Sequence, residues 1–398
     1  MRGYNSAQVA LRNRALIMYL LTRRGPLARR EIAALTGLTS GSISVITGEL
    51  LAEGLLRKSP RPPDEGGGLG PKPVPLELNP GARVVLAACL YEQFLKIGVL
   101  NLRNELLNMR YVAMAPGYTC EDAARVIRDA LDRMEGEMRS RLLGVGVAVP
   151  GPYDPDDDLL IEDAILGWRQ VRLREALGRL IEAPLVVESK VPAKALSEYL
   201  FGRAGQASSL MLVQVGEGIG AGIVINGEIF RGTIGTTGEI GHARVPGGTR
   251  PCRCGRVGCV EAESSLSAIL AAAGLGGRPD DYRTLVERLR RGDPEVTRVA
   301  VERLQPLKNA LECVVQVLGP ERLILTGTLV ESDVVYETLT KDLAGLLGRP
   351  PQVSRTSFPG WSGLAGIGAV CLSEWLYPQG RFVREAAALR PGRERDMA

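Results

Sequence analysis

The chain has 398 residues, 45% of them hydrophobic and 24% charged, the balance of an ordinary globular protein long enough for two or three domains. No apolar run approaches the roughly 20 residues of a spanning helix and the N-terminus lacks a signal-peptide core, so a cytoplasmic protein with no membrane partner is expected. The net charge of +4 is uneven, because residues 1–62 carry ten basic and three acidic side chains, and a small basic module on a near-neutral body suits a polyanion, double-stranded DNA first.

Leu11, Ala15, Ile17, Met18, Leu20 and Leu21 recur at helical spacing up to Gly25-Pro26 and predict a first helix. A second runs from about Ala28 to Thr36, the turn Thr36-Gly37-Leu38 follows, and Thr39 or Ser40 caps a third. On the third helix Ile43, Ile46, Leu50 and Leu51 are expected to face the core, with Ser40, Gly41, Ser42, Ser44 and Thr47 outside. Short polar side chains at the start of such a helix approach base edges and phosphates in a major groove, which is the pattern of a helix-turn-helix. A solvated basic three-helix bundle is the alternative. The proline- and glycine-dense stretch from Ser59 to Gly81 cannot continue a helix and is expected to form a wing and linker. DNA contacts are therefore expected from Arg29, Thr39, Ser40, Ser42, Ser44, Thr47, Arg57, Lys58 and Lys72.

Beyond residue 81 the pattern becomes α/β. Residues 84–107 and 211–230 each read as a strand, a turn and a returning strand, an internal duplication in which each hairpin opens a βα lobe. Further strands are predicted over 143–149, 185–188 and 322–326, and helices near 120–141, 171–181, 193–201 and 296–318. The expected division is a DNA-binding module and linker over 1–80, a first lobe over 81–200 and a second lobe over 201–398, with a C-terminal helix returning to the first lobe.

His242 is the only histidine in the chain, and Cys252, Cys254 and Cys259 follow it closely. Neutral imidazole and thiolates are the usual ligands of tetrahedral zinc, and glycines at 247, 248, 255 and 258 let one short segment converge them. A closed structural Zn²⁺ site is expected, with free or disulfide-bonded loop cysteines as the alternative. Cys89, Cys120, Cys313 and Cys371 stand in apolar surroundings and read as buried thiols.

Gly-Pro-Leu at 25–27, Gly-Val-Ala-Val-Pro-Gly-Pro at 146–152, Gly-Glu-Gly-Ile-Gly-Ala-Gly at 216–222, Gly-Glu-Ile-Gly-His at 238–242 and Cys-Arg-Cys-Gly-Arg-Val-Gly-Cys-Val-Glu at 252–261 together carry a resemblance to the repressor/open-reading-frame/kinase (ROK) family. The chain resembles in particular its sugar-responsive repressors with a winged helix-turn-helix. The resemblance implies an actin-like, ribonuclease H-like pair of lobes behind an α-helical module, a zinc-stapled loop beside a sugar pocket, and homodimers or tetramers. By resemblance Glu239, His242 and Glu261 bind sugar hydroxyls, His242 through the ring nitrogen that does not face the metal.

Two departures matter. Where family kinases carry an Asp-x-Gly-Gly-Thr phosphate loop this chain has Ala88-Cys89-Leu90-Tyr91-Glu92-Gln93, and where they carry an Asn-Asp pair with the base it has Ser189-Lys190. A charged ammonium cannot accept the proton of a sugar hydroxyl. The family's asparagine upstream of Gly167-Trp168 is Ala164. A non-enzymatic, DNA-binding regulator of carbohydrate-related genes is expected, with an effector that is anionic or absent. Lys190 is expected to pair with Glu239 or Glu261, or to attract that anion with help from Ser189, or to turn to solvent. A sugar kinase with an appended module and a zinc-responsive regulator are the alternatives.

Overall fold

The computed structural model describes residues 6–60, 73–232, 235–276, 280–343 and 350–377. Helix α1 (Ser6–Arg24) buries Ile17, Met18 and Leu21 and ends at Gly25, whose φ of 78° only glycine adopts without strain. Helix α2 (Arg29–Thr36) starts where the Glu31 carboxylate accepts the Ala28 N–H at 2.6 Å and ends at left-handed Gly37. Helix α3 (Ser40–Ala52) is capped by the Thr39 hydroxyl, which accepts the Ser42 N–H. Strands β1 (Leu56–Lys58) and β2 (Leu76–Leu78) then pair antiparallel, and Leu27 adds a bridge to Leu76. Three helices and a small sheet result, with Ile32, Ile43, Leu50, Leu56 and Leu76 at their centre.

The first lobe begins with β3 (Val84–Leu90), β4 (Phe94–Asn101) and β5 (Leu106–Ala113). Helices α4 (Cys120–Asp132) and α5 (Gly136–Ser140) lead to β6 (Leu142–Val149). A three-stranded sheet of β7 (Tyr153–Asp154), β8 (Leu159–Asp163) and β9 (Trp168–Val171) precedes α6 (Leu173–Gly178), β10 (Leu185–Ser189) and α7 (Lys190–Phe201). Residues of β3 alternate between two cores, Val84, Leu86, Ala88 and Leu90 on one face and Val85, Ala87 and Cys89 on the other. A strand buried on both faces has to be apolar throughout, as this one is.

The second lobe contains β11 (Ser209–Val215), β12 (Ile219–Ile225), β13 (Glu228–Ile229), α8 (Val260–Ser264), α9 (Leu266–Ala272), α10 (Asp281–Arg290) and α11 (Pro294–Leu318). It continues through β14 (Arg322–Thr326), α12 (Asp333–Thr340), β15 (Gln352–Arg355) and α13 (Ser362–Leu376). Its sheet order β13-β12-β11-β14-β15 repeats the first-lobe order β5-β4-β3-β6-β10, with antiparallel hairpins on one side of the first strand and parallel strands on the other. The duplication read from the two hairpins extends through both sheets.

Helices α7 and α13 lie side by side between the sheets, and α13 packs on β3 and β6. Glycine permits the close approach. A Cβ at Gly222 would stand 2.5 Å from the Val191 carbonyl oxygen, and one at Gly366 2.8 Å from the Lys194 backbone nitrogen. Gly222 is thus required by the close packing of β12 on α7.

Local expectations fail where tertiary contacts decide. The helix expected over 120–141 breaks between α4 and α5, and the helix expected from 171 yields Val171 to β9. Cys313, expected to be buried, is exposed on α11.

Candidate functional site

The cysteine loop is built before any metal is considered. Val245 donates to Gly258, Cys252 to Arg256 and Gly258 to Arg250, while Arg244 and Pro251 bridge to Cys259 and Val257. Glu263, which sequence reasoning missed, accepts the Thr249 and Arg250 N–H groups at 2.9 Å each and ties the loop to α8. Its only sequence signal is its position four residues after Cys259.

On this frame the donor atoms of His242, Cys252, Cys254 and Cys259 lie within 4.8 Å of one another. Cys252 Sγ stands 3.7 Å from His242 Nδ1, and Cys254 Sγ stands 3.7 Å from Cys259 Sγ. Tetrahedral zinc with metal–sulfur bonds of about 2.3 Å separates its sulfurs by about 3.8 Å, so donor set and spacing fit the ion. A disulfide would need about 2.05 Å. His242 Nε2 points the other way, 3.7 Å from Glu239 Oε2.

Glu239 stands beside His242, and Glu261 in the first turn of α8, both next to this loop. Desolvation raises the Glu239 carboxyl above its ordinary value, opposed by His242 and reinforced by Glu261. Glu261 Oε2 accepts the Ile219 N–H at 2.9 Å, which anchors it to the start of β12. A Cβ at Gly218 would lie 3.7 Å from Glu261 Oε2 and 3.7 Å from Gln214 Nε2, so the glycine leaves this corner open.

Ser189 and Lys190 do not stand as expected. The Ser189 hydroxyl donates to the Gly151 carbonyl at 3.0 Å and accepts the Tyr153 N–H at 2.9 Å, so it braces the first lobe instead of reaching a ligand. Lys190 pairs with neither Glu239 nor Glu261 and is not turned to solvent. It is buried, donates to the Leu90 carbonyl at 3.0 Å and lies 4.1 Å from the centre of the Tyr91 ring. Tyr91, in place of a phosphate loop, stacks on Phe94 at 4.5 Å. The adjacent Glu188 takes a different cation, Arg231, through both oxygens.

Lys194 and Lys96 join Lys190 here, and neither was singled out from sequence. Lys194 is one turn further along α7 and donates to Gln214 Oε1 at 2.6 Å, and Lys96 donates to the Gly360 carbonyl at 2.7 Å. Burial pushes Lys190 down to about 8 and Lys194 down to about 7. The i, i+4 spacing of the two on α7 was the available signal.

On the N-terminal module Thr39, Ser40 and Ser44 are exposed at the start of α3, and Ser42 is half-buried in the cap. Thr47 does not face outward as expected: it is fully buried, donates to the Ile43 carbonyl and accepts Arg29 Nε at 2.8 Å. Helical geometry puts position 47 one turn after Ile43, on the core side. Val45 is exposed instead, at 62%. Lys58 is exposed on β1, whereas Arg57 Nε holds buried Glu77 at 2.7 Å, which also takes Arg103 at 2.6 Å. Lys72 lies outside the described residues.

Two paired α/β lobes with duplicated sheets define the actin-like sugar-kinase fold, here preceded by a helical module. The ROK family model matches residues 93–367, and the chain belongs to the ROK family. It is 28% identical over 79% of its length to a putative xylose repressor of Caldicellulosiruptor sp., covering 80% of that protein. A crystal structure of a ROK family transcriptional regulator, a homolog of the E. coli MLC protein, superposes with a TM-score of 0.76 at 20% identity, covering 96% of this chain and 99% of that one. A ROK family glucokinase from Streptomyces griseus with glucose and AMPPNP superposes with a TM-score of 0.62 at 25% identity, covering 72% of this chain and 98% of that one. Among the described residues, no helix is long and apolar enough to cross a membrane.

Proposed function

We propose that this protein is a DNA-binding transcriptional regulator, a repressor of carbohydrate-related genes, whose interlobe cleft senses a small carbohydrate-like ligand. One observation carries the reading. A buried ammonium, Lys190, is bound to a backbone carbonyl at the position that corresponds, by the resemblance, to the base of family kinases, and a module with an exposed helix start and a two-stranded wing precedes the lobes. A lysine hydrogen-bonded through its charge is no base for a sugar hydroxyl, and Tyr91 leaves no glycine for phosphate to approach. The similarity to repressors over most of the chain supports the same reading.

The functional division assigns DNA binding to 1–80, the first lobe to 81–200 and the second lobe with the metal loop to 201–398, α13 returning to the first-lobe sheet. Zn²⁺ held by His242, Cys252, Cys254 and Cys259 is structural: four protein ligands leave no open position, and the ion would fix the loop carrying Glu239 and Glu261. Glu239, His242 Nε2 and Glu261 bind ligand hydroxyls. The protein works in the cytoplasm as a homodimer or tetramer, since a palindromic operator calls for paired recognition helices.

Selection of DNA fragments on the full chain, followed by anisotropy titration, tests this. Operator binding should be lost when residues 1–80 are removed, and the full chain should not turn over ATP with any hexose. Undiminished DNA binding by the truncated chain, or sugar-dependent ATP turnover, would overturn it.

A further inference from the structure

Three ammonium groups, Lys96 from β4 and Lys190 and Lys194 from α7, are gathered at the junction of the two lobes. Each is at least nine-tenths buried. Their recorded hydrogen-bond acceptors are all neutral: the Leu90 carbonyl, the Gln214 amide oxygen and the Gly360 carbonyl. They repel one another across the site. Among the described residues no carboxylate forms an ion pair with any of them. The one carboxylate that attracts Lys190 is Asp163, and Asp163 is already committed to the N–H groups of Gly151, Ile165 and Leu166.

Buried cations without a counter-charge are strongly unfavourable, as the lowered pKa values of Lys190 and Lys194 express, and an anion placed among them relieves that cost. Lys190 also faces the Tyr91 ring at 4.1 Å and Lys96 the Tyr111 ring at 4.8 Å, contacts that attract a cation without neutralising it. Each ammonium has three donors and uses one in a hydrogen bond to oxygen, which leaves donors for oxygen acceptors. The cluster also adjoins the hydroxyl-binding corner. Gln214 accepts Lys194 through its oxygen, and its nitrogen lies 3.5 Å from the Gly218 carbonyl, beside the glycine that faces Glu261. Lys194 is thus linked through Gln214 and Gly218 to the corner held by Glu261.

We infer that Lys190, Lys194 and Lys96 form an oxyanion site, and that the effector carries a phosphoryl or carboxylate group there while its hydroxyls meet Glu239 and Glu261. This rests on the effector-sensing reading above and supplies the chemical class of the ligand. The shared chemistry is a compact oxyanion, and either a free anion or an anionic sugar provides it.

The test uses the full chain, wild type and a Lys190→Met/Lys194→Met variant, in thermal melts and calorimetric titrations. The probes are inorganic phosphate, glucose 6-phosphate, gluconate and glucose, at matched ionic strength. Phosphate should raise the melting temperature of the wild type in a saturable way, and the double variant should bind it about tenfold or more weakly, as expected for loss of charge-assisted hydrogen bonds. The methionines should leave the variant folded, because they replace buried charge with apolar volume. Stronger binding of an anionic sugar than of phosphate assigns the source to a sugar ligand, and phosphate alone assigns it to the free anion. No saturable phosphate binding, or equal binding by wild type and variant, overturns the oxyanion site. If glucose binds and releases operator in both proteins, the oxyanion site falls and the sensing reading stands. If no probe binds and none alters operator affinity, both fall.

Discussion

The hydroxyls of Tyr19 on α1 and Tyr199 on α7 lie 3.3 Å apart, joining residues 180 positions distant in the chain. Around them Arg23 stacks over the Tyr199 ring at 4.0 Å and donates to the Ala207 carbonyl at 3.3 Å, and Tyr377 meets Tyr19 edge-on at 6.2 Å. The helix whose first residue is Lys190 therefore ends against the N-terminal helical module. At about 1.5 Å per residue, this 12-residue helix runs about 18 Å from the buried lysines to that module.

Replacing Arg23 tests that docking. Arg23→Ala removes a cation–π contact and backbone hydrogen bonds at a half-buried site and should cost about 1–3 kcal/mol in urea unfolding. Ligand binding in the cleft should survive, while its effect on operator affinity weakens. Undiminished coupling in paired titrations of ligand and operator would show that α7 is not the route.

On DNA, residues at the exposed start of α3 and on the wing should separate into two kinds. Ser44→Ala or Val45→Ala should change preference at one base position by about 1–3 kcal/mol, because a hydroxyl or methyl at a base edge is sequence-specific. Lys58→Ala should weaken binding to all sequences and reduce the salt slope by about one. Arg57→Ala should reduce it less, since Glu77 already holds that guanidinium. Anisotropy titrations across a salt series measure both.

Metal content provides a third prediction. Purified protein should hold about one zinc per chain, and Cys254→Ala should lose it, because three remaining ligands cannot close a structural site. The loop carrying Glu239 and Glu261 should loosen, lowering the melting temperature and ligand affinity together. Metal analysis and thiol titration under native conditions decide; native cysteines that react freely in metal-free protein would refute the assignment.

The buried lysines predict a pH dependence. Burial pushes Lys190 to about 8 and Lys194 to about 7, below the unfolded value of about 10.4. Between about pH 7 and 10 the unfolded chain binds more protons than the folded one, so these groups make stability rise with pH there. Below about pH 7 both states are protonated and the destabilisation from buried charge is fully present. The groups facing them are Lys96, Cys89, Asp163 and Tyr91; burial pushes Cys89 up to about 11 and raises the Tyr91 phenol as well, so in the folded chain both titrate above the window. Urea unfolding at pH 6.5 and 9 should show wild type gaining on Lys190→Met/Lys194→Met, and parallel profiles would contradict it.

Elements governed by local chemistry were legible in the chain. Gly25 and Gly37 end helices α1 and α2, Thr39 caps α3, and the alternation and glycine turns of the two hairpins announce the duplicated lobes. The His-Cys cluster was legible because its four members lie within 18 residues, so a short loop can close the set. What the sequence could not determine depends on which surface another element covers. Thr47 looks polar and outward until its hydroxyl bonds back to Ile43 and Arg29 closes over it. Ser189 and Lys190 follow the strand expected over 185–188, but their directions are not legible in the chain: the loop at 151–153 claims the hydroxyl, and Tyr91 and the Leu90 carbonyl claim the ammonium. Lys96 and Lys194 stand 98 positions apart and feel one another's charge only because the fold brings β4 and α7 to the same buried region. Spacing along a chain reports which residues share a turn of helix or a loop, whereas the partners of a buried charge are set by the packing of distant elements, and only the tertiary structure decides them.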